Sequence, residues 1–514
     1  MEVEKLRSWE DEKKPKLRRC EDVKMSKIPT SQLLTSATSL LALVLMAGCT
    51  VGPDFHRPTA PANGGYTVQP LTSISSAANV AGGEEQRFVM GMDIPQQWWT
   101  LFKSPTLNAL IEKSLKTNPS IDAAKAALRQ ARENVSAQAG YYYPTVQAGY
   151  SAGRAKDSGT ISPVLSSEEE PYNLHTAQVS VGYAPDVFGS NRRLVESLTA
   201  QADFQRFQLE ATYLALTSNV VAAAIQEASL RSQISATLSI VKIETEMLAL
   251  LRRQFELGYV AGLDVAAQEA ALAQVQQTLP PLQNQLAQTR DLLTALAGRF
   301  PNEELEEKFD FAALSLPQDL PVSLPSKLVE QRPDVRAAEE QLHAANAQVG
   351  VAVAALLPNI TISADLGSTA IGISKLFTPG TGFWSLAGDL TQPIFQGGTL
   401  LHRKRAAEAG LDQAEAQYRS TVIAAFQNVA DTLHALQSDA DTLKAAAAFE
   451  QASKRSLDLA RRQFELGYVN YLSLLSAEQA YQQAVINLVQ AKANRFADTA
   501  ALFMALGGGW WNKS

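Results

Sequence analysis

The sequence predicts an α+β fold built from two copies of one unit, in which a pair of β-strands precedes a long helical hairpin. The nine residues RRQFELGYV occur twice, at 252–260 and at 461–469, which are 209 positions apart. Each copy lies at the end of a long stretch without glycine or proline, and each stretch follows segments in which apolar and polar residues alternate. Solenoid repeats have periods of about 20–50 residues. A repeat at this longer spacing therefore indicates a duplicated subdomain.

The amino-terminal part of the chain has the features of a secretory signal. From Met25 onward, the positively charged Lys27 precedes a short apolar segment, 39–46, and the small residues 47–48 precede Cys49. This is the order of a signal peptide with a lipoprotein cleavage site, and the apolar segment is far shorter than the ~20 residues that span a bilayer. We therefore predict that Cys49 is the acylated, palmitate-bearing first residue of a lipoprotein. An ordinary signal peptide with a coincidental cysteine is the alternative.

The residues around this signal predict a start site and a destination. Residues 1–24 are densely charged and fit no signal peptide, so we interpret them as an upstream extension, with translation beginning at Met25. Thr50 stands where bacterial lipoproteins of the inner membrane tend to carry aspartate, which favours the outer membrane. The net charge of −7 becomes −9 once residues 1–48 are removed. An acidic chain is a poor partner for nucleic acid.

The composition excludes several classes of site. Only two cysteines, Cys20 and Cys49, are present, which leaves no disulfide framework and no CxxC-type metal site. The five histidines are scattered singly, and none has the HExxH spacing of a zinc protease. The sequence contains no P-loop and no dinucleotide-binding fingerprint. We therefore expect no metal and no cofactor.

Two strand pairs are predicted, near 144–186 in the first copy and near 358–395 in the second. The alternating apolar positions are Ala177, Val179, Val181 and Tyr183 in the first copy, with a weaker match over 145–153, and Ile360, Ile362, Ala364, Leu366, Trp384, Leu386 and Leu390 in the second. This period over about ten residues is typical of strands in a membrane barrel, although a soluble sheet has the same pattern. The loop-like segments 155–173 and 368–382, together with the export signal, favour the membrane.

Each strand pair is followed by a predicted helical hairpin, over 190–299 and over 399–506. The first contains 68 consecutive residues without glycine or proline and the second contains 56, over 411–466. As continuous helices these stretches would be roughly 100 Å and 84 Å long. Their apolar residues are small and lie on more than one face, which indicates helices with neighbours on two sides rather than a two-stranded zipper.

Each hairpin reverses at a Gly-Tyr-Val segment. Gly258 and Gly467 are suited to end the outgoing helices, and new helices are expected near Leu263 and Leu472. The second returning helix is predicted to be continuous to residue 506. The first must bend or end at the prolines 280–281, because proline lacks the amide that a helix interior needs.

Four strands cannot close a barrel, and an open sheet edge in lipid leaves backbone groups without hydrogen-bond partners. If these strands lie in a membrane, several chains must therefore share one barrel. A homotrimer would supply twelve strands. This expectation rests only on the need of the backbone groups at the sheet edges for hydrogen-bond partners.

Several motifs in this order resemble the outer-membrane efflux lipoproteins of the NodT type. The similar segments are CTVGPDFHRP at 49–58, LVEQRPDVRAA at 328–338, QPIFQGG at 392–398 and ALGGGW at 505–510. The resemblance covers roughly residues 49–511. It implies a TolC-like and OprM-like fold, in which a trimer forms a twelve-stranded barrel in the outer membrane and a twelve-helix tunnel across the periplasm.

The resemblance also implies partners and a function. Members dock with a periplasmic adaptor (membrane fusion) protein and an inner-membrane pump, usually of the RND class, and they are passive ducts without a catalytic site. By this resemblance the chain is an outer-membrane channel that conducts small-molecule substrates to the exterior. The turns Gly258, Tyr259, Val260, Gly467, Tyr468 and Val469 would form the periplasmic tips that contact the adaptor.

The tunnel would be constricted just beyond these turns. In OprM-like proteins a Tyr-Leu-x-Leu-Leu-Asp motif supplies a gating leucine and aspartate. Here the segment 471–476 is YLSLLS, which retains Leu472 but has Ser476 in place of the aspartate. Leu263 and Asp264 hold the corresponding level of the first repeat. Asp264 and Glu478 are the acidic residues available to replace the missing carboxylate, and simple packing of Leu472 at the tip is the alternative to a gating role.

Three other functions are alternatives to this one. The segment 149–153, GYSAG, matches the hydrolase motif G-x-S-x-G, but it lies in a predicted strand rather than between a strand and a helix. A periplasmic coiled-coil scaffold lipoprotein would explain the helices and the lipid, although not the duplicated strand pairs. A type I secretion duct is the alternative among channels. The substrate, whether drug, metal or another solute, is not readable from the residues.

The full prediction divides the chain into six parts. In order they are an upstream extension (1–24), a signal peptide (25–48), a lipid-anchored amino-terminal arm (49–105), a first repeat (106–300), an inter-repeat equatorial segment (301–325) and a second repeat (326–508).

Overall fold

The structure, a computed structural model, describes residues 50–61, 65–68, 80, 82–156 and 171–512. These belong to one unit of the chain, Thr50–Ser514. The predicted extension, the signal peptide and Cys49 lie outside the described residues. In chain order, the strands and α-helices are β1 (Arg87–Met90), α1 (Pro105–Thr117), α2 (Pro119–Ala139), β2 (Thr145–Ala155), β3 (Tyr172–Tyr183), α3 (Ser190–Glu256), α4 (Gly262–Gln276), α5 (Leu279–Leu296), β4 (Asp319–Val322), α6 (Pro325–Gln331), α7 (Pro333–Ala354), β5 (Asn359–Ala370), β6 (Gly382–Thr391), α8 (Thr399–Glu465) and α9 (Tyr471–Ala505).

The two halves repeat the same order of elements, which confirms the predicted duplication. In each half a helix that begins at a proline, α2 or α7, leads into two strands and then into a helix of 67 residues, α3 or α8. At 1.5 Å per residue, each long helix extends about 100 Å. None of the helices in the described part of the chain has an apolar stretch long enough to cross a membrane.

The returning limbs of the hairpins differ, as the prolines predict. In the second half α9 continues for 35 residues. In the first half α4 ends at Gln276 and α5 begins at Leu279, with Pro280 in its first turn, where the missing amide removes no helical hydrogen bond. The outgoing helix α8 is longer than its glycine-free stretch, because Gly410 is accommodated inside it. Glycine at such a position costs about 1 kcal/mol relative to alanine.

The strands of both halves form one antiparallel sheet in the order β2-β3-β5-β6. Within each half the strands are neighbours in sequence, and the two halves join through β3 and β5. That pairing runs from His175 opposite Ala370 to Tyr183 opposite Ile362. In the described residues β2 and β6 each pair with a strand on one side only, so both edges of the sheet are open.

A second, small sheet was not predicted from the sequence. β1, from the amino-terminal arm, pairs in parallel with β4, from the segment between the repeats. Arg87 of β1 and Asp319 of β4 form an ion pair across it. Each strand has only four residues, too short for a period-two pattern to distinguish it from a loop.

The main hydrophobic core lies where these segments meet the middle of the long helices. Trp98 stacks on Phe503 of α9 with ring centroids 5.2 Å apart, and Phe102 packs beside them. The core also includes the turn at 507–509, in which all three glycines have positive φ. Arg332 donates to the carbonyl of Ala505 at 2.9 Å. The two segments resembling family motifs, at 328–338 and 505–510, therefore contact each other.

Replacing Gly509 with alanine is expected to destabilise the fold by about 1–3 kcal/mol, the usual cost of a side chain in the left-handed region. Its φ is +74°, and an added Cβ would lie 2.5 Å from the carbonyl oxygen of Ile94. Thermal unfolding followed by circular dichroism measures the change. Gly410→Ala is the matched control, because Gly410 is helical with open space around it, and this substitution is expected to be neutral or stabilising. A Gly509→Ala protein as stable as wild type would contradict the account.

Candidate functional site

The four-stranded sheet has one apolar face, and that face is exposed. The registers place the alternating apolar residues of all four strands side by side: Val146, Ala148 and Tyr150 on β2, Ala177, Val179 and Val181 on β3, Ile360, Ile362, Ala364 and Leu366 on β5, and Trp384, Leu386 and Leu390 on β6. Leu366, Trp384, Leu386 and Leu390 are each between 66% and 76% exposed. Exposed apolar patches of this kind mark contact with a membrane or another protein.

The opposite face of the sheet is polar. Asp365 on β5 accepts hydrogen bonds from Ser180 on β3 at 2.6 Å and from Ser385 on β6 at 2.9 Å. Thr176 and Thr369 are hydrogen-bonded at 3.1 Å on the same face. The predicted alternation is therefore real and continuous across the two halves. Ser151, the serine of the G-x-S-x-G match, lies within β2, so the sharp strand-to-helix turn of a hydrolase is absent there.

The beginning of the described chain is held at the end of the sheet. Thr50 lies against Gly189, which immediately precedes α3. Arg193, almost fully buried, donates to the carbonyl of Val51 at 3.1 Å and forms an ion pair with Asp54 at 2.7 Å. Each contact involves a residue of the motif CTVGPDFHRP, at 49–58.

The rest of this segment is held by α7. Phe55 stacks on His343 with ring centroids 4.2 Å apart, and Arg57 pairs with the buried Glu339 at 2.9 Å. Hydrogen bonds that His343 donates to the carboxylates of Glu340 and Glu196 raise the pKa of His343, which favours its imidazolium form. The sequence identified this motif by resemblance, and the structure shows what its residues contact.

At the other end of the long helices, both hairpins turn through the same backbone motif. Gly467 has φ +78°, its amide donates to the carbonyl of Phe464, and the amide of Tyr468 donates to the carbonyl of Gln463 at 2.8 Å. This is a Schellman motif, which satisfies the last carbonyls of a helix. The turn at Gly258 has the same hydrogen bonds. Gly258 and Gly467 therefore end the helices as predicted.

The side chains at these turns divide into exposed and packed sets. Tyr259 and Tyr468 are each 78% exposed. Val260 and Val469 are half-buried, and Val260 packs against a cluster that contains Leu251 and Tyr471. Each turn therefore exposes its tyrosine, and its valine is partly covered.

The predicted gate residues are exposed within the single chain. Leu472 is 50% exposed and Leu263, its equivalent in the first repeat, is 72% exposed. Ser476 is also exposed and lies one turn after Leu472, whose carbonyl accepts its hydroxyl at 2.9 Å. The neighbours Tyr471 and Leu474 are buried instead. Packing inside the chain therefore involves those neighbours rather than Leu472.

The two acidic alternatives to Ser476 have other contacts. The carboxylate of Asp264 accepts the amide of Ala261 at 3.2 Å and so caps the start of α4. Glu478 is almost fully buried. The hypothesis that Glu478 replaces the missing aspartate on an exposed ring is therefore wrong, because packing against α8 removes this carboxylate from the surface.

Glu478 belongs instead to an inter-hairpin network, which we define as Glu244, Gln268, Arg461, Tyr471, Glu478 and Gln482. Gln268 of α4 donates to the carboxylate of Glu244 on α3 at 2.6 Å, and Gln482 of α9 donates to the other oxygen at 2.6 Å. The hydroxyl of Tyr471 donates to Gln268. Arg461 of α8 lies 3.5 Å from one oxygen of Glu478. The network thus connects both hairpins just inside their turns.

The carboxyl groups of this network hold their protons unusually strongly. Burial raises the pKa of Glu478 to about 7, the charge of Glu244 acts in the same direction, and Arg461 opposes both. Burial also raises the pKa of Glu244, although the hydrogen bonds from Gln268 and Gln482 act to lower it. Sequence reasoning missed this network, since glutamate and glutamine are common on exposed helix faces and no local pattern marks the buried ones.

No group of histidine, cysteine, aspartate and glutamate side chains within the described ranges could hold a metal ion. The candidate site consists of three features: an exposed apolar sheet face, an anchored amino-terminal segment, and two hairpin ends that each have an exposed and a buried side.

Comparison with known proteins agrees with this geometry. The sequence model of the outer membrane efflux protein family matches residues 110–299 and 324–508. The chain is 30% identical over 419 residues to the pyoverdine export outer membrane protein OpmQ of Pseudomonas putida, which covers 81% of this chain and 88% of that protein. It is 29% identical over 480 residues to the toluene efflux pump outer membrane protein TtgC of Pseudomonas putida, covering 93% and 96%.

A solved structure gives the same result for the fold. The outer-membrane channel OprN superposes with a TM-score of 0.80 at 28% sequence identity, over 90% of this chain and all of that one.

Proposed function

This chain belongs to the outer membrane efflux protein family and is an outer-membrane efflux channel, and we propose that it is the passive exit duct of a tripartite efflux system, with no catalytic role of its own. The observation that carries the proposal is the sheet, which has an exposed apolar face, a polar face and two open edges. A duct needs this arrangement, with lipid outside and water inside.

The open edges support a shared assembly. Unpaired strand edges in lipid leave amides and carbonyls without partners, at several kcal/mol per group. Pairing β6 of one chain with β2 of the next removes both edges. Three chains then contribute twelve strands, and the polar face with Asp365 lines the lumen. We propose a homotrimer on this ground, with α3, α8 and their returning limbs forming the periplasmic tunnel.

The anchored amino-terminal segment supports lipidation of Cys49. Thr50, the next residue, lies beside Gly189, where the sheet gives way to α3. An acyl chain attached one residue earlier would enter the membrane that the strands cross. Radiolabelled palmitate incorporated into wild-type protein but not into Cys49→Ala protein would establish the anchor. Equal labelling of both would exclude it.

The hairpin ends support contact with a periplasmic adaptor and a gate. The turns Gly258–Val260 and Gly467–Val469 present Tyr259 and Tyr468 at the far end from the sheet. Beside them, Leu263, Asp264, Leu472 and Ser476 lie at the level proposed for the constriction. For the inner-membrane partner we propose an RND-type pump, as the family resemblance implies.

Substituting both tip tyrosines with alanine is expected to weaken adaptor binding by at least about 30-fold, because aromatic residues that dominate an interface contribute about 1 kcal/mol or more each. Surface plasmon resonance with a purified periplasmic adaptor protein measures this affinity. Leu401→Ala, at the other end of α8 and 46% exposed, is the control. Unchanged affinity of the Tyr259→Ala/Tyr468→Ala protein would remove these turns from the interface.

The duct itself is tested in planar bilayers. Purified protein is expected to insert as a heat-modifiable trimer and to carry ion current. A purified monomer that leaves the bilayer insulating under all conditions would refute the proposal. It would leave the coiled-coil scaffold as the alternative, since a scaffold also needs long helices but has no pore.

A further inference from the structure

We propose that the inter-hairpin network is a proton-dependent lock: it holds the two hairpin ends together while Glu478 is protonated, and it loosens when Glu478 and Glu244 are both ionised. Loosening would allow the tunnel end to widen at Leu472, which lies next to Tyr471. The inference rests on the proposed function, because only a duct has a tunnel end to widen.

The first argument is the imbalance of charge in a buried place. Glu244 and Glu478 are 1% and 2% exposed. Among the described residues, Arg461 is the one cation paired with either of them, at 3.5 Å from Glu478. Two buried carboxylates beside a single guanidinium are unfavourable, because burial and like charge both disfavour ionisation. One proton on one of the two carboxyl groups removes the excess charge.

The second argument is the pattern of hydrogen bonds. Both oxygens of Glu244 accept amide donors, from Gln268 and Gln482, as an ionised carboxylate requires. The second oxygen of Glu478, Oε2, is buried and has no hydrogen-bond partner among the described residues. An ionised oxygen left in this state is costly. The geometry therefore assigns the proton to Glu478.

The third argument comes from the internal repeat. The residues related to Arg461 and Glu478 by 209 positions are Arg252 and Glu269, which also form an ion pair, at 2.6 Å. That pair is exposed, with 59% and 48% of the side chains accessible, whereas the Glu478 side chain is 3% accessible. One repeat keeps an ordinary surface ion pair, and the other has placed the same pair between the hairpins.

The charged and titratable groups that face the pair are few. Arg461 comes from α8 and favours the ionised forms. Tyr471 comes from α9, and burial raises its pKa, so it remains a neutral donor to Gln268. The negative charges of Asp264 on α4 and of Glu244 also raise the pKa of Tyr471. Among the described residues, Glu244 is the one charged group that α3 contributes to the network, and α5 contributes none.

The direction of the pH dependence follows from the raised pKa of Glu478. In the locked state this pKa is about 7, against an ordinary value of 4.5. The proton on Glu478 therefore stabilises the locked state fully below pH 4.5. This stabilisation is lost as the pH rises through 7. Between these values the ratio of locked to loosened ends falls about tenfold per pH unit.

The test is single-channel recording of the full-length trimer at pH 5, 6, 7 and 8. The open fraction of wild type is expected to rise at least about tenfold from pH 5 to pH 7 and to level off above it. Glu478→Gln, which is neutral at every pH, is expected to stay low and flat. The matched control, Glu269→Gln, changes the repeat-related exposed residue and should keep the wild-type slope.

A second measurement covers the case in which Glu478→Gln does not assemble. Hydrogen exchange of wild-type amides in 471–482, corrected for intrinsic rates, should be faster at pH 7.5 than at pH 5.5. Equal corrected rates, or a Glu478→Gln channel with the wild-type slope, would overturn the lock. Channels that conduct without any pH dependence would refute this inference alone. Protein that never conducts, even as Leu472→Ala, would refute the proposed function and the lock with it.

Discussion

Leu472→Ala channels are expected to conduct at rest, with an open-to-closed ratio about 5- to 30-fold above that of wild type. Within one chain the leucine is half-exposed, so its apolar surface is available to meet the same residue of neighbouring chains. Apolar constrictions close pores by excluding water. Truncation to alanine removes about 1–2 kcal/mol of apolar contact from the closed constriction as a whole, because each leucine is only partly buried there, and this free energy corresponds to the stated ratio.

The measurement is resting conductance in planar bilayers, supported by entry of a large antibiotic into cells that carry the variant. Ser476→Ala is expected to have a smaller effect, because its hydroxyl is bonded to the carbonyl of Leu472 in the same helix. Leu401→Ala is the control at the opposite end of α8. If Leu472→Ala conducts no more than wild type, Leu472 is a packing residue and the gate lies elsewhere.

Leu386→Lys is expected to prevent stable insertion in the outer membrane. Leu386 is 70% exposed on the apolar face and lies in the middle of β6, opposite Ala364. A lysine at the bilayer midplane costs about 2–4 kcal/mol in a barrel strand. A trimer carries three copies of the substitution, so the total penalty is comparable to the whole stability of many domains. The amount of heat-modifiable trimer in outer-membrane fractions measures the effect.

The adjacent residue provides the control. Ala387 points to the polar face, because successive side chains of a strand alternate between faces, and Ala387→Lys should leave the amount of trimer near wild type. Loss of trimer in both variants would show general damage to β6. Loss in the Ala387→Lys variant alone would mean that the faces are assigned the wrong way round.

Much of the fold could be predicted from particular residues. The repeated nonapeptide predicted the duplication, and Gly258 and Gly467 predicted the turns, since a residue with positive φ after a helix is nearly always glycine. Pro280 and Pro281 predicted the break between α4 and α5. The alternation at Ile360–Leu366 predicted a strand, although β5 continues four residues further, to Ala370, where the sequence becomes small and polar.

Other features depend on residues that are distant in the sequence. The parallel pair β1–β4 joins segments more than 200 residues apart and has no local signature. The candidate site divides in the same way: the tip residues could be named from the sequence, but the opposite surroundings of Glu269 and Glu478 could not, because both follow the same local pattern.

The sequence by itself determined the local elements of this protein, namely two repeats, four strands, two reversing hairpins and the motifs that resemble a known family. These depend on periodicity and on glycine and proline, whose backbone effects act within a few residues. Only the tertiary structure decided that β3 joins β5, that Leu472 is exposed, and that Glu478 lies buried beside Glu244. Burial and charge at those positions are set by helices that approach from the other half of the chain.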